Sequence, residues 1–524
     1  MADLVVVSWD GAPPDAVRRW ADAGKLPNLA ELARGGAWGT TVSTVPPVTA
    51  PAWASFHTGV GPGKHGVFEW AVRRPGSYIP ALADGRSLAL PTVWEILSNH
   101  VPVGVLGYPL THPARPVRGF WIPGFLAPPD ADGHPPGIMA TVRESAPGFL
   151  ATPPEWSHGT DPTAWATELA DLAEHQARAA VALADRFRPA VLAVHFQITD
   201  TVQHYLGERE EVLAVFQAAD RALGMLIDAL APRRTILLSD HGMGPVDGEF
   251  HINTWLLAEG FLRLRRRPAS ALRGFLFRRG VTPMNLAGLG QRLYPLARRL
   301  GFLHSGLELW GDGALARGVR RAFLGLEDVD WSKTVAYSHA EIGSIYLNRV
   351  GREPRGTVAA ADAPRVRQDL AQALAEVRLP NGEPLLGDLY FGEELYRGDK
   401  AWLGPDILFL PRGLRWLGKG IIGFLQHTVF SPSPMAAGHR MEGVLVVSGG
   451  DVPPAQAPRA RLWDLAPTIL ALCDVPIPSW MEGQPLMEAF GDMASPPAYV
   501  AEPMPGRDSA GEDTIRRLRG LGYL

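Results

Sequence analysis

Short apolar runs, each closing on an acidic or polar residue and each followed by a stretch of helical periodicity, set the narrowest limit on how this chain can fold. Leu4-Val5-Val6-Val7 leads to Asp10, with helix-like stretches at 14–23 and 28–34 after it. Residues 103–106 read as another buried strand. A long helical period covers 163–186, and a strand at 190–196 comes next. Residues 211–230 are helical again, followed by a strand at 235–238 and the polar cluster Ser239-Asp240-His241-Gly242. A strand at 444–447 and a helix from Asp464 to about Leu472 lie near the end. Strands alternating with helices predict an α/β fold with a mostly parallel central sheet covered by helices on both faces. Ligands of such sheets gather at the carboxyl ends of the strands, where these polar residues fall.

The middle of the chain breaks the pattern. The stretch 261–321 is rich in arginine (Arg263, Arg265, Arg266, Arg267, Arg273, Arg278, Arg279) and shows no clear strand–helix alternation. Two strand-like runs, 344–348 and 406–410, flank a helix at 365–377. The expected organisation is a discontinuous core at 1–259 and 436–492, an inserted helical and small α/β cap at 260–435, and a tail at 493–524. The tail ends in a short amphipathic run at 514–524. There is no internal repeat.

Bulk properties exclude several classes. A chain of 524 residues buries a large core without staples. A net charge of −4 gives no overall attraction to nucleic-acid polymers or anionic membranes, so an anionic substrate must be drawn in locally. With Cys473 as the single cysteine, neither an intrachain disulfide nor a cysteine-based zinc site can form. The N-terminus has no signal-peptide pattern and no apolar run is long enough to span a bilayer, so the expected location is cytoplasmic.

Asp10, the pair Asp200 and His204, the pair Asp240 and His241, and His439 in Gly438-His439-Arg440 are the residues suited to metal chemistry. Carboxylates and imidazoles are good ligands for zinc and other first-row metals. Residues four apart on a helical turn share a face, so Asp200 and His204 can hold one ion. Adjacent Asp240 and His241 converge only at a non-helical strand end, and Gly242 permits a turn there. Taken singly, each has an ordinary explanation. Asp before Gly is a common turn former, and Asp200 with His204 reads equally as a helix cap and a surface histidine.

The segment 43–70 adds a candidate nucleophile. Thr49 stands in a Pro-flanked turn before a helix-like stretch at 52–58, at a helix N-terminus that favours anionic groups. A hydroxyl there attacks only if a metal or base lowers its pKa; otherwise Thr49 is a plain N-cap.

From Thr49-Ala50-Pro51 through Thr58-Gly59 and Pro62 to His65-Gly66, this segment resembles the nucleophile region of the type I phosphodiesterase and nucleotide pyrophosphatase branch of the alkaline phosphatase superfamily. Asp10, Asp200 with His204, Asp240-His241-Gly242 and Gly438-His439 fall in that family's order. Gly351-Arg352-Glu353-Pro354 and His439-Arg440-Met441-Glu442-Gly443 resemble a bacterial subgroup described as predicted phosphohydrolases or phosphomutases. The resemblance implies two divalent ions, zinc first, with manganese or iron as alternatives. Asp10, Thr49, Asp240 and His241 would hold one, and Asp200, His204 and His439 the other. It implies Thr49 as catalytic nucleophile through a covalent phosphothreonine, and a small-molecule phosphoester as substrate.

Two departures stand out. Ala52 and Trp70 occupy positions where the nucleotide pyrophosphatases carry asparagines, which puts nucleotide specificity in doubt. A phosphodiesterase is the leading expectation. The alternatives are a phosphomonoesterase, a phosphonate hydrolase, a phosphomutase, or a non-catalytic metal-binding scaffold. Sulfatase chemistry does not fit, because Cys473 lacks the required motif. His57 and His65 are expected to be structural, and Trp70, His251 and His339 are weak candidates for substrate contact.

Overall fold

The computed structural model describes residues 2–156, 159–282, 285, 323–340, 342–420, 424, 426–449, 452, 455–490 and 498–501. Its main sheet has eight strands in the spatial order Ala455–Arg461, Gly36–Val42, Glu442–Gly449, Arg234–Leu238, Leu4–Trp9, Val191–Phe196, Val103–Leu106 and Gly119–Ile122. All but one run the same way. Glu442–Gly449 lies antiparallel to both of its neighbours, and the remaining pairs are parallel.

The central strand Leu4–Trp9 is buried along its whole length, which accounts for its near-continuous apolar sequence. Alternate side chains enter different cores. Val5, Val7 and Trp9 pack with the long helices Pro162–Phe187 and Glu210–Leu230 through Leu169, Leu183, Phe216 and Leu223. Leu4 and Val6 face the opposite layer, where Trp53 and Phe56 of helix Thr49–Thr58 meet Ile469 and Leu470 of helix Leu465–Leu472. Asp161 caps the first long helix by accepting the Ala164 N–H, with Pro162 at its opening position.

A second, antiparallel sheet has the order Ala336–Tyr337, Ser344–Leu347, Ile407–Pro411, Leu386–Phe391. Helix Ala363–Glu376 shares its core through Leu370 and Leu374. Strand Gly248–His251 pairs with Trp416–Lys419 and Phe430–Ser431, tying the segment after Asp240 to the region beyond residue 400. Part of the arginine-rich stretch forms helix Pro268–Arg278, with Arg273 bonded to Asp328 and Arg266, Arg267, Arg278 and Arg279 exposed. Most of the rest of that stretch, and the terminal run at 514–524, lie outside the described residues. Among the described residues no helix is long and apolar enough to cross a membrane.

The predicted helices and strands recur within a few residues of their expected bounds. Gly36–Val42, Gly119–Ile122 and Ala455–Arg461 were not legible in the sequence. The first carries two glycines and two threonines in seven positions, and the second has only four residues, too few to show a period.

Helix Thr49–Thr58 is buried at every position, including His57. His57 Nδ1 accepts the Trp94 indole N–H at 3.1 Å, and His65 binds Ser55 Oγ at 3.0 Å. Burial lowers both imidazoles to about 3. The unfolded chain therefore takes up these protons first. Stability is full above the free imidazole value of about 6.5 and falls as the pH drops from there towards 3. Each histidine is expected to cost on the order of 1 kcal/mol between about pH 7 and 5.5. Denaturant titrations at the two pH values should show a smaller loss for His65→Gln than for the unaltered chain; equal losses would mean that His65 stays protonatable in the fold.

Candidate active site

Three adjacent strands of the main sheet deliver the acidic residues. Asp10 follows Leu4–Trp9, and Asp240 and His241 follow Arg234–Leu238 next to it. Val191–Phe196, on the other side, leads into helix Ile198–Leu206, which presents Asp200 and His204 one turn apart. Gly11, at a φ of +62°, lets the loops close up: a Cβ there would stand 2.9 Å from Asp200 Oδ1. His439 arrives from far along the chain. Its strand Ala437–Arg440 pairs antiparallel with Gly242–Pro245, and its ring stacks on His241 with centroids 3.7 Å apart. Gly242 therefore serves a different purpose from the turn expected of it. It lies in a strand, and a Cβ there would sit 2.2 Å from the Glu442 carbonyl oxygen, so close backbone approach demands glycine.

The side chains share one construction. Asp10 Oδ2 accepts the Trp53 indole N–H at 2.8 Å, Asp240 Oδ1 accepts the Gly11 N–H at 3.3 Å, and Asp200 Oδ2 accepts the Gln197 amide at 3.2 Å. The other oxygen of each carboxylate accepts no hydrogen bond although it is buried. The histidines mirror this. Nδ1 of His204, His241 and His439 lies 2.9, 3.1 and 2.7 Å from the carbonyl oxygens of Ala437, Gly242 and Pro47. A carbonyl only accepts, so each Nδ1 carries the proton and each Nε2 is aimed at the centre. His204 Nε2 is 3.2 Å from Asp200 Oδ1 and 3.0 Å from His439 Nε2. His241 Nε2 is 3.2 Å from Asp240 Oδ2 and 3.6 Å from Asp10 Oδ1.

Donor atoms of Asp10, Asp240 and His241 lie within 4.8 Å of one another, and so do those of Asp200, His241 and His439. Three buried carboxylate oxygens without donors, facing imidazole nitrogens held as acceptors, fit a divalent cation by chemistry and by placement. His241 belongs to both groups, whereas the family pattern assigns it to one; His204 joins the second through its contacts with Asp200 and His439.

Electrostatics agree with that fit. Burial first, then the charges of Asp240 and Asp200, hold the Asp10 carboxyl well above its usual range. Burial and Asp200 do the same to Asp240. Burial also opposes ionisation of Asp200, but His204 and His439 outweigh it and hold Asp200 well below the carboxylate range. Burial disfavours a charged His204 too, and Asp200 overcomes this and raises it. Burial and His439 keep His241 neutral. Burial and crowding thus keep Asp10 and Asp240 protonated, and a cation at the centre would let all three carboxyls ionise.

Thr49 is the first residue of its helix. Val48 is the N-cap and the terminus has no side-chain cap, so the plain N-cap reading of Thr49 does not hold. Thr49 Oγ1 lies 3.2 Å from His241 Nε2. With His241 neutral and its proton on Nδ1, the hydroxyl donates to Nε2. The hydroxyl also faces a cavity of about 370 Å³, lined on one side by Asp200, His204 and His439. Asp10, Asp240 and His241 are sealed beneath.

The weak candidates separate. Trp70 lines the cavity. His251 binds Ser431 Oγ at 2.8 Å, and His339 stacks on Tyr346 at 4.3 Å; neither is part of the cavity lining. His57 and His65 are held by neighbours within the core. Sequence reading missed Trp53, Gln197, Ser239 and His195. Ser239 Oγ accepts the Ala12 N–H at 2.8 Å, and His195 Nε2 stands 3.4 Å behind Asp10 Oδ2. The available signal was polar side chains inside otherwise apolar strand ends, which only contacts distinguish from turn residues.

The type I phosphodiesterase / nucleotide pyrophosphatase family model matches residues 4–398, so His439 enters the site by structure and lies outside the matched span. No curated protein sequence matches the chain. Among solved structures it is similar to phosphonoacetate hydrolase from Sinorhizobium meliloti 1021 in complex with phosphonoformate, at 17% identity and a TM-score of 0.52 over 89% of this chain and 94% of that one. The same enzyme in complex with phosphonoacetate gives 17% identity and 0.50 over the same shares. At this identity the likeness is one of fold. The family match covers most of the chain: it belongs to the type I phosphodiesterase / nucleotide pyrophosphatase family of the alkaline phosphatase superfamily, a family of metal-dependent phosphohydrolases.

Proposed function

We propose that this protein hydrolyses a small-molecule phosphodiester through a covalent phosphothreonine at Thr49. The observation that carries this reading is the position of Thr49 Oγ1, at an uncapped helix N-terminus, 3.2 Å from the ligand nitrogen of His241 and open to the cavity. Asp10, Thr49, Asp240 and His241 would hold one divalent ion, and Asp200, His204 and His439 a second. Zinc suits these donors first, then manganese or iron. Bound there, such ions supply Lewis acidity to the attacking and departing oxygens.

The chain's own residues do the rest. The uncapped helix terminus offers N–H groups and a positive dipole end to the phosphoryl oxygens. That is the kind of stabilisation required where Ala52 and Trp70 replace polar residues. Thr49 Oγ, having given its proton to solvent, attacks phosphorus; the O–P bond forms as the bond to the leaving oxygen breaks, and that oxygen takes a proton back from solvent and departs as an alcohol. Water then cleaves the phosphothreonine, returning the Thr49 hydroxyl and releasing a phosphomonoester. The core at 1–259 and 436–492 would carry the chemistry, and the segment 260–435 would add Ile342, Leu417, Lys419 and Met435 to the wall that selects the substrate.

Bis(p-nitrophenyl) phosphate and p-nitrophenyl phosphate, offered to zinc- or manganese-loaded protein, test the reading. A diester preference that chelation abolishes is expected. A monoester preference would reassign the protein as a phosphatase or mutase-like enzyme, and phosphonoacetate in the same panel covers phosphonate cleavage. Thr49→Ala and Asp240→Asn should each lower kcat by about a thousandfold or more while circular dichroism stays unchanged; wild-type-like turnover by Thr49→Ala would remove that residue from the mechanism. Trp53→Phe deletes the N–H that orients Asp10 and should weaken metal binding by about 10–100-fold in competition with a chromophoric chelator. Unchanged affinity would reduce the indole to a packing role.

A further inference from the structure

We infer that the cavity beside Thr49 receives an apolar ester group, aryl or long alkyl, of a phosphodiester bearing a single phosphate, rather than a nucleoside polyphosphate; this rests on the phosphodiesterase reading above. Away from the ligand residues, the walls carry four aromatic rings among aliphatic and a few polar side chains. Trp70 and Phe125 meet edge to face with ring centroids 5.7 Å apart and planes at 72°. Trp156 and Tyr205 lie nearly parallel, at 5.9 Å and 23°. Such pairs present broad, rigid apolar surface to a ligand at small entropic cost.

The charge count points the same way. Among the described residues lining the cavity there is one lysine, Lys419, and no arginine, and the exposed carboxylate Glu155 lies in the same lining. A diester carries one negative charge, on the phosphoryl group held at the ligand cluster. Each further phosphate would add anionic charge against aromatic rings and an acid, with Lys419 the sole basic side chain beyond the ligand histidines among the described residues of the lining. Trp70 shares this lining with Thr49 and the candidate ligands, so an indole stands in the same cavity as the reacting hydroxyl. A volume of about 370 Å³ suits a ring or a folded chain of moderate length.

The test uses full-length, metal-loaded protein and four p-nitrophenyl phosphodiesters with a common leaving group, the second ester being methyl, phenyl, octyl or thymidine. We expect kcat/KM for the phenyl or octyl ester to exceed that for methyl by about tenfold or more, with thymidine no better than methyl. Trp156→Ala should shrink the phenyl-to-methyl and octyl-to-methyl ratios several-fold. Phenyl above octyl identifies a ring-binding slot, and octyl above phenyl a chain-binding one. Equal rates for methyl, phenyl and octyl, or a preference for thymidine, would overturn the inference while leaving the phosphodiesterase reading in place. If no diester turns over, that reading fails by itself. Calorimetric affinities of metal-loaded Thr49→Ala for the methyl and phenyl esters then decide this inference separately, with equal affinities overturning it.

Discussion

Three carboxylates are buried close enough to repel one another at the end of a sheet, and the surrounding structure is organised around that cost. Asp10, Asp200 and Asp240 sit in the interior, where like charges repel strongly and isolated ionised groups are expensive to desolvate. Each is offset on one side by an N–H, from Trp53, Gln197 or Gly11. On the other side stand three imidazoles locked by backbone carbonyls so that their acceptor nitrogens face inward. The arrangement is coherent only with positive charge at its centre, and that requirement explains why so many polar atoms survive in an otherwise apolar core.

Strand direction makes the cluster possible. Parallel order places the carboxyl ends of Leu4–Trp9, Val191–Phe196 and Arg234–Leu238 side by side, so residues separated by 230 positions become neighbours. The single reversed strand, Glu442–Gly449, begins at the same edge of the sheet and carries Ala437–Arg440 just before it to the Asp240 loop. His439 comes from that reversal. Glycines at 11 and 242 allow the close approaches, the first to Asp200 and the second to the Glu442 carbonyl.

Function grades outward from this centre. Asp10, Asp240 and His241 are the most deeply buried of the candidate ligands. Thr49 stands at the boundary, on a helix whose apolar faces anchor it between the sheet and helix Leu465–Leu472. Beyond it the cavity wall carries Trp70, Phe125, Trp156 and Tyr205, which come from segments far apart in sequence.

Much of this was legible from residue order. Apolar runs ending in Asp or His announced an α/β sheet with polar strand ends, because burial on both faces forces continuous hydrophobicity and leaves function only at the tips. The i, i+4 spacing of Asp200 and His204 placed both on one helical face, as the structure has them. Trp53, Gln197 and His195 were not legible, since an indole in a helix or a histidine in a strand looks the same whether it packs or orients a ligand. By itself, then, the sequence determined the fold class and the candidate ligands, through local periodicity and residue type, while Thr49 became a candidate nucleophile only through the resemblance to the family. Only the tertiary structure decided that His241 is shared between two candidate ligand groups, that Gly242 serves backbone contact, and that four aromatic rings share one cavity lining, with one lysine among its described residues. Those facts depend on which distant segments meet, and a linear pattern carries no distances between them.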